Sequence, residues 1–148
     1  MAVAAAERRC AMCNCCVKST LYARNTSAQL LAIGDIINPG YAVRKTGNAI
    51  HVCNDAVIVN GEGAYRFIGA FIAAPTAAGT ITVTAYENGV AIPGATASAT
   101  AGAGELATLP IVFTVPKVCP RAARSAITFV VSGAAGTVSN VALDVEKI

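Results

Sequence analysis

A chain of 148 residues suits one domain with a sizeable core. Its residues are 55% hydrophobic, 5% aromatic and 13% charged, and that charged share is about half of the usual one. So much uncharged surface favours an oligomer. The net charge of +3 comes from scattered residues that are not interleaved with aromatics, which argues against a nucleic-acid partner.

Residues 1–17 predict a flexible, cysteine-rich arm. The basic pair Arg8–Arg9 follows the short apolar run "MAVAAAE" instead of preceding it, so this segment is not a classical secretory signal. No segment reaches the ~18 apolar residues of a membrane helix, so we expect no membrane partner. The expectation is a protein made without a classical signal peptide that leaves the cell by another route, such as lysis.

From Ser19 onward, alternation of apolar and polar residues predicts β-strands. The first half contains the candidate strands "STLYAR", "SAQLLAIG", "YAVRKTG", "AIHVCN", "AVIVN" and "AYRFIGAFIAA". Gly69 interrupts the last of these, and a β-bulge is expected there.

The second half contains the strongest hairpin signal. Ile81, Val83 and Ala85 alternate with threonines, and Asn88-Gly89 then predicts a type I′ turn. The low-complexity segment "GATASATAGAG" is interpreted as either a loop or a closely packed Thr/Ala strand. "ATLPIVFTV", "SAITFVVSG" and "GTVSNVALDVEKI" complete the set.

No window shows the apolar spacing of an amphipathic helix, so we expect almost no helix. Short strands joined by Gly, Pro and Asn turns predict a sandwich or a barrel. The sequence contains no Trp, which disfavours an immunoglobulin domain. The prediction is an all-β protein: one jelly-roll sandwich of 8–10 antiparallel strands over residues 18–148, preceded by the arm at 1–17.

Four of the six cysteines lie in the arm, and they permit more than one chemistry. The six are Cys10, Cys13, Cys15, Cys16, Cys53 and Cys119. Cys10 and Cys13 have zinc-knuckle spacing, but Cys15 and Cys16 follow too closely to form the usual second pair. A small zinc-binding module held by these four cysteines is therefore one alternative.

Catalysis has less support. His51 and Cys53 share one face of a strand, and they are the only pairing of a thiol with a base. The carboxylates show no close pairing, and no Gly-rich loop joins a strand to a helix. We predict that the protein is not an enzyme and uses no cofactor.

Covalent linkage between chains is the remaining chemistry. In an extended segment Cys15 and Cys16 point to opposite sides, so each can meet a different partner. An arm from Cys10 to Lys18 spans about 25–30 Å when extended, which is enough to reach a neighbouring subunit. Cys53 and Cys119 are either the acceptors or small buried hydrophobic residues.

The body of the chain resembles the tumour-necrosis-factor-like jelly roll of exosporium and phage surface proteins. The residues that carry this resemblance are "VNGEGAYRFIGAFIAAPTAAGTITVTAYENGVAIPGATASAT" and "AITFVVSGAAGTVSNVALDVEKI". The resemblance implies a tight, non-enzymatic trimer. In such a trimer, Tyr65 and Phe67 are candidates for the trimer axis or another interface.

The arm resembles the N-terminal connector of bacterial endospore appendage subunits, which carry a vicinal cysteine pair ahead of a jelly roll. The resemblance implies that Cys15 and Cys16, with Cys10 or Cys13, bond to cysteines in the jelly rolls of other subunits along a fibre. Cys53 and Cys119 would then be the acceptors, although four arm cysteines depart from the pattern of that family.

Three functional hypotheses follow. In each of them the partner is either another copy of the chain or a ligand. The first is a disulfide-linked fibre or appendage subunit on the outer surface of a spore, cell or phage virion. The second is a homotrimeric decoration that binds a surface glycan or a host receptor. The third is the zinc-binding module.

Overall fold

The computed structural model describes residues 18–61, 63–117 and 124–148, and these residues form eleven β-strands and no helix. None of the described segments is a helix that could cross a membrane. The strands are β1 Thr20–Asn25, β2 Gln29–Leu31, β3 Tyr41–Thr46, β4 Ile50–Cys53, β5 Ala56–Val59, β6 Gly63–Pro75, β7 Gly79–Glu87, β8 Val90–Ala101, β9 Ala107–Lys117, β10 Ser125–Ser132 and β11 Gly136–Lys147.

Two antiparallel sheets face each other as a jelly roll, so the all-β sandwich prediction is confirmed. The first sheet has the order β3-β1-β11-β6-β9, with the short β2 pairing with β11. The second sheet has the order β4-β5-β10-β7-β8. The described strands outnumber the predicted 8–10 partly because β2, with three residues, is an element of its own.

Alternation of apolar and polar residues places the core between the sheets. Ile81, Val83 and Ala85 of β7 are fully buried, as their spacing predicts, and the intervening threonines point outward. Four phenylalanines form a chain of contacts in the core. Phe67 stacks on Phe113 within the first sheet at 4.7 Å between ring centroids. Phe129 of the second sheet then meets Phe71 at 5.4 Å and Phe113 at 6.1 Å. Aromatic pairs at these distances add to the free energy gained from burial alone.

Two tight turns have the backbone geometry of type I′ hairpins. Asn88 and Gly89 have φ values of 50° and 83°, which confirms the turn predicted between β7 and β8. Asn54 and Asp55, with φ values of 49° and 64°, form a second such turn between β4 and β5. The segment "GATASATAGAG" is mostly strand, because β8 runs to Ala101 beside β7.

The predicted bulge at Gly69 is wrong. Gly69 pairs regularly with Leu143 on one side and Ile111 on the other, and the irregularity lies at Ser139 of β11. A Cβ on Gly69 would lie 2.9 Å from Leu143 Cδ1 and 3.3 Å from Ile111 Cγ2. The glycine therefore allows these two side chains to close over β6, which is a packing role and not a bend in the strand.

Candidate assembly surface

The outward side of the first sheet carries an apolar face where alternation would predict polar residues. We define this apolar face as Ile68, Ala70 and Ile72 of β6, Pro110 and Val112 of β9, and Ala142 of β11. Ile68 is 46% exposed and Val112 is 63% exposed. These two residues are cross-strand partners, so their side chains lie side by side.

The strand register explains how the apolar face is continuous. Ala70 lies between Pro110 on β9 and Ala142 on β11, in the row next to that of Ile68 and Val112. The outward side of the three long strands measures roughly 40 Å by 15 Å, since strands rise about 3.3 Å per residue and lie about 4.8 Å apart. The apolar face occupies its middle part, roughly 15 Å by 15 Å, so an interface of ~800 Å² per partner would also include the polar residues around it.

Charged residues border the apolar face. Exposed Asp144 on β11 is the cross-strand partner of Ile68, and Arg66 and Glu146 lie in the next row. Arg66 and Glu146 form an ion pair there, with side chains that are 45% and 40% exposed. An exposed pair of this kind contributes about 0.2–1 kcal/mol to stability. An apolar centre with a polar end has the anatomy of a protein–protein interface.

Tyr65 and Phe67 do not belong to this surface, and their assignment to a trimer axis or interface is corrected. Both side chains are 0% exposed within a single protomer. They lie on the inward side of β6, which leaves Arg66 and Ile68 to face outward. The sequence "FIGAFIAA" already indicates the apolar face. The side chains that point to either side of this strand are apolar, as in a strand that is covered on both sides.

Cys53 is the one cysteine within the described residues. It is half-buried at the end of β4, an edge strand of the second sheet, and no disulfide joins it to another described residue. The other five predicted disulfide candidates, Cys10, Cys13, Cys15, Cys16 and Cys119, lie outside the described residues.

His51 has a cationic neighbour. Its Nε2 lies 3.4 Å from Nη2 of Arg124. Burial lowers the pKa of His51 below its ordinary 6.5, and the positive charges of Arg124 and Lys45 lower the pKa further. The neutral ring is therefore favoured at pH 7, beside a guanidinium. Within the described ranges, no group of three or more His, Cys, Asp or Glu side chains is arranged to hold a metal ion.

A shallow cleft lies beside the tip of the β7–β8 hairpin. Its volume is about 380 Å³, and its walls come from β8 and β9. Val90, Ile92, Pro93 and Pro116 line it, with Glu87 as the charged residue. Apolar side chains therefore gather at this part of the described surface as well.

Comparison with known proteins establishes the fold. No family model matches this chain, and no curated protein matches it. Murine APRIL in its crystal structure at pH 5.0 is similar over 88% of this chain and 99% of its own, with a TM-score of 0.64 and 11% identity. The Eiger TNF from S. frugiperda is similar over 89% of this chain and 92% of its own, with a TM-score of 0.68 and 6% identity.

The fold is a tumour-necrosis-factor-like jelly roll. A viral protein shares it: the PRD1 vertex protein P5 is similar over 88% of this chain and 96% of its own, with a TM-score of 0.59 and 11% identity. At identities of 6% to 11% the likeness shows the fold alone. The resemblance of the body to this jelly roll is thereby confirmed, and the resemblance of the arm falls on residues outside the described ranges.

Proposed function

We propose that the protein is a non-enzymatic, self-assembling structural subunit on the outside of a particle, most simply a disulfide-linked fibre or appendage. The apolar face carries this proposal. A second copy of the chain is its occupant, and the surface of a spore, cell or virion is its location.

The energetics favour a covered apolar face. Burial removes apolar area from water at about 25 cal/mol per Å². Ile68 and Val112 are about half exposed, so covering them contributes about 1 kcal/mol each. The surrounding Ala and Pro side chains are short, which lets a partner backbone approach closely. In a chain with only 13% charged residues, few charges oppose such a contact.

The cysteine arm supplies the covalent part of the proposal. In each link the thiol of Cys10, Cys13, Cys15 or Cys16 bonds to the thiol of Cys53 or Cys119 of a neighbouring subunit, and dissolved dioxygen takes up the two electrons and two protons that are released. The position of Cys53 supports this role, because it is half-buried at the end of an edge strand of four residues. A thiol at a sandwich edge is accessible to a strand-like arm from another copy. A contact that is repeated head to tail without closing generates a filament.

The apolar face is tested by charge. The double substitution Ile68→Asp, Val112→Asp is expected to lower the oligomeric state in sedimentation velocity with reductant present, since two carboxylates would be buried in the contact. Leu106→Asp is the matched control, because Leu106 is also exposed (71%) but lies outside the apolar face. An unchanged oligomer in the double variant would overturn the face as an interface.

The linkage is tested on native material by electrophoresis. Without reductant, the chain should run as a ladder that collapses to monomer with thiol. Cys53→Ser should shorten the ladder, whereas Ser132→Ala should not. A single monomer band without reductant contradicts the linked-fibre proposal. One tightly held zinc per freshly purified chain would instead favour the zinc-binding module.

The second candidate function is a closed homotrimer that binds a surface glycan or a host receptor. The cleft beside the β7–β8 hairpin favours it, because Val90 there is 70% exposed and no described residue covers it. Discrete trimers in negative-stain images, together with ligand binding that Val90→Asp abolishes, would support this candidate over the fibre.

A further inference from the structure

Five described strands have a single ladder partner, and they differ in how well they are protected from pairing with another chain. The shortest of them, β2, has only three residues. An edge strand presents unpaired N–H and C=O groups, and proteins protect such edges with charge, Pro, bulges or short length. In the first sheet, β3 carries Arg44 and Lys45, and β9 carries Pro110 and Pro116, which have no N–H. In the second sheet, β4 has only four residues.

The edge strand β8 is protected only in its first half. That half contains Pro93 and Gly94, whose φ is +80°, and the ladder to β7 shifts register there. The second half, Ala95–Ala101, contains no charge and no Pro, and its residues Thr96–Ala101 pair regularly with β7. Among the described strands, β7 is its only ladder partner. We call this segment the open edge.

Hydroxyl groups pair in rows across β7 and the open edge. Thr80 Oγ1 lies 2.8 Å from Thr100 Oγ1, and Thr82 Oγ1 lies 2.9 Å from Ser98 Oγ. Thr84 Oγ1 lies 3.4 Å from Thr96 Oγ1 in the third row. The outward side of the open edge is therefore polar but neutral.

The sequence of the open edge is the same in both directions. Ala95–Ala101 reads "ATASATA", with Ser98 at its centre. If two copies pair antiparallel about Ser98, Thr96 faces Thr100 of the second copy, and Ser98 faces its own equivalent. Such a two-fold contact uses the same patch on both subunits.

We propose that the open edge is a second assembly surface, and that its occupant is the open edge of another copy. The two second sheets then join into one continuous sheet, and the rows of hydroxyls extend from one β7 to the other. Cross-strand pairs of Thr and Ser hydroxyls stabilise such a sheet.

Charge favours this pairing over the other edges. Antiparallel self-pairing of β3 would bring Arg44 and Lys45 near the same cations of the second copy, and like charges that face each other across strands are destabilising. The open edge brings together only neutral side chains. A neutral, self-complementary edge therefore fits a copy of itself better than it fits a charged strand.

A lysine at the centre tests the contact. Ser98→Lys would place two ammonium groups opposite each other across the two-fold axis. We expect at least a tenfold loss of this dimer in sedimentation velocity, measured in the Ile68→Asp, Val112→Asp background with reductant. Thr128→Lys on the central strand β10 is the control, since it adds the same charge to the same side of the second sheet. Equal effects of both lysines would overturn the edge contact.

Single cysteines test the register, even if a lysine impairs folding. Opposed Cα atoms in an antiparallel pair are about 4.5–5.5 Å apart, which suits a disulfide. With a mild oxidant, Ser98→Cys should give a peptide linked from 98 to 98. Thr96→Cys alone should not link to itself, because the equivalent positions are about 13 Å apart. A mixture of Thr96→Cys with Thr100→Cys should link.

Two outcomes of the mapping contradict the proposal. Linkage of Cys at position 98 to Cys10, Cys13, Cys15 or Cys16 would make the arm the occupant of the open edge. Self-linkage of Thr96→Cys as strong as that of Ser98→Cys would indicate random collision. Because the apolar face is disabled in the sedimentation experiment, failure of the open edge is distinguishable from failure of the proposed function.

Discussion

Tyr65 combines complete burial with a satisfied hydroxyl. The side chain is 0% exposed, and its hydroxyl donates toward the carbonyl oxygens of Asn60 at 2.8 Å and Gly61 at 3.1 Å. Burial raises the pKa of Tyr65 from 10.0 to about 12. The phenol thus ties the start of β6 to the chain just before it.

This pKa predicts a loss of stability at high pH. Above pH 10 the unfolded chain loses the phenol proton, whereas the folded chain keeps it up to about pH 12. The contribution of Tyr65 to the free energy of unfolding is therefore complete below pH 10 and falls as the pH rises toward 12. Denaturant unfolding between pH 9 and 12 in Tyr65→Phe should lose this part of the pH dependence. The exposed Tyr41→Phe should keep it, and a wild-type slope in Tyr65→Phe would contradict the assignment.

The position of Tyr65 also shows what alternation does and does not determine. Because side chains alternate along a strand, Tyr65, Phe67 and Phe71 lie on one side of β6, and Arg66 and Ile68 lie on the other. This alternation does not say which side faces the second sheet when both sides are apolar. The side of β6 that carries the larger aromatic side chains packs against the second sheet. The predicted interface residues Tyr65 and Phe67 are therefore core residues, and their neighbours Ile68 and Ala70 lie on the surface.

At the scale of elements, the β7–β8 hairpin was predictable because its signal is local. The Asn88-Gly89 pair needs positive φ at both residues, and few other dipeptides adopt that conformation. The Asn54-Asp55 turn uses the same conformation without glycine, so its sequence signal is weaker. The bulge at Ser139 has no local signal, because it arises from the pairing of β11 with β6.

Gly89 permits a prediction that separates backbone strain from packing. A Cβ on Gly89 meets no atom within 4 Å, but its φ is +83°. Gly89→Ala should therefore lower the free energy of unfolding by about 1–2 kcal/mol through backbone strain alone. Gly79→Ala is the control, because its φ is not positive and the nearest atoms to its Cβ lie at 3.8 Å and 3.9 Å. Equal effects in chemical denaturation would show that strain at the turn is not the cause.

At the scale of the whole molecule, the class of fold was predictable and the strand order was not. Turn spacing and alternation indicate a sandwich, yet the first sheet depends on β1 pairing with β11, and Leu21 meets Val145 across it. No local pattern encodes a contact between residues so distant in the chain. Resemblance to the tumour-necrosis-factor-like jelly roll predicted the kind of sandwich, and the strand order comes from the structure.

The buried cluster of the described residues begins at Leu21 and ends at Val145, and this gives a prediction for a chain without residues 1–17. We expect a chain that starts at Lys18 to unfold in reductant with a free energy within about 0.5 kcal/mol of the full chain, because it keeps every residue of that cluster. It should form no thiol-sensitive ladder. A chain that starts at Asn25 lacks Leu21 and Ala23 and should not fold; circular dichroism and denaturant titration distinguish these results.

The apolar face belongs to the first sheet, and the open edge belongs to the second. If both proposed contacts form, occupying one leaves the other free to bind, and each subunit would be bivalent before any sulfur is oxidised. A two-fold junction at the open edge, alternating with a different junction at the apolar face, would propagate growth along one dimension, because two junctions per subunit make a linear chain. Since the two junctions are independent, the mean length in reductant should rise gradually with concentration, without a lag, and oxidation would then lock a chain that has already formed.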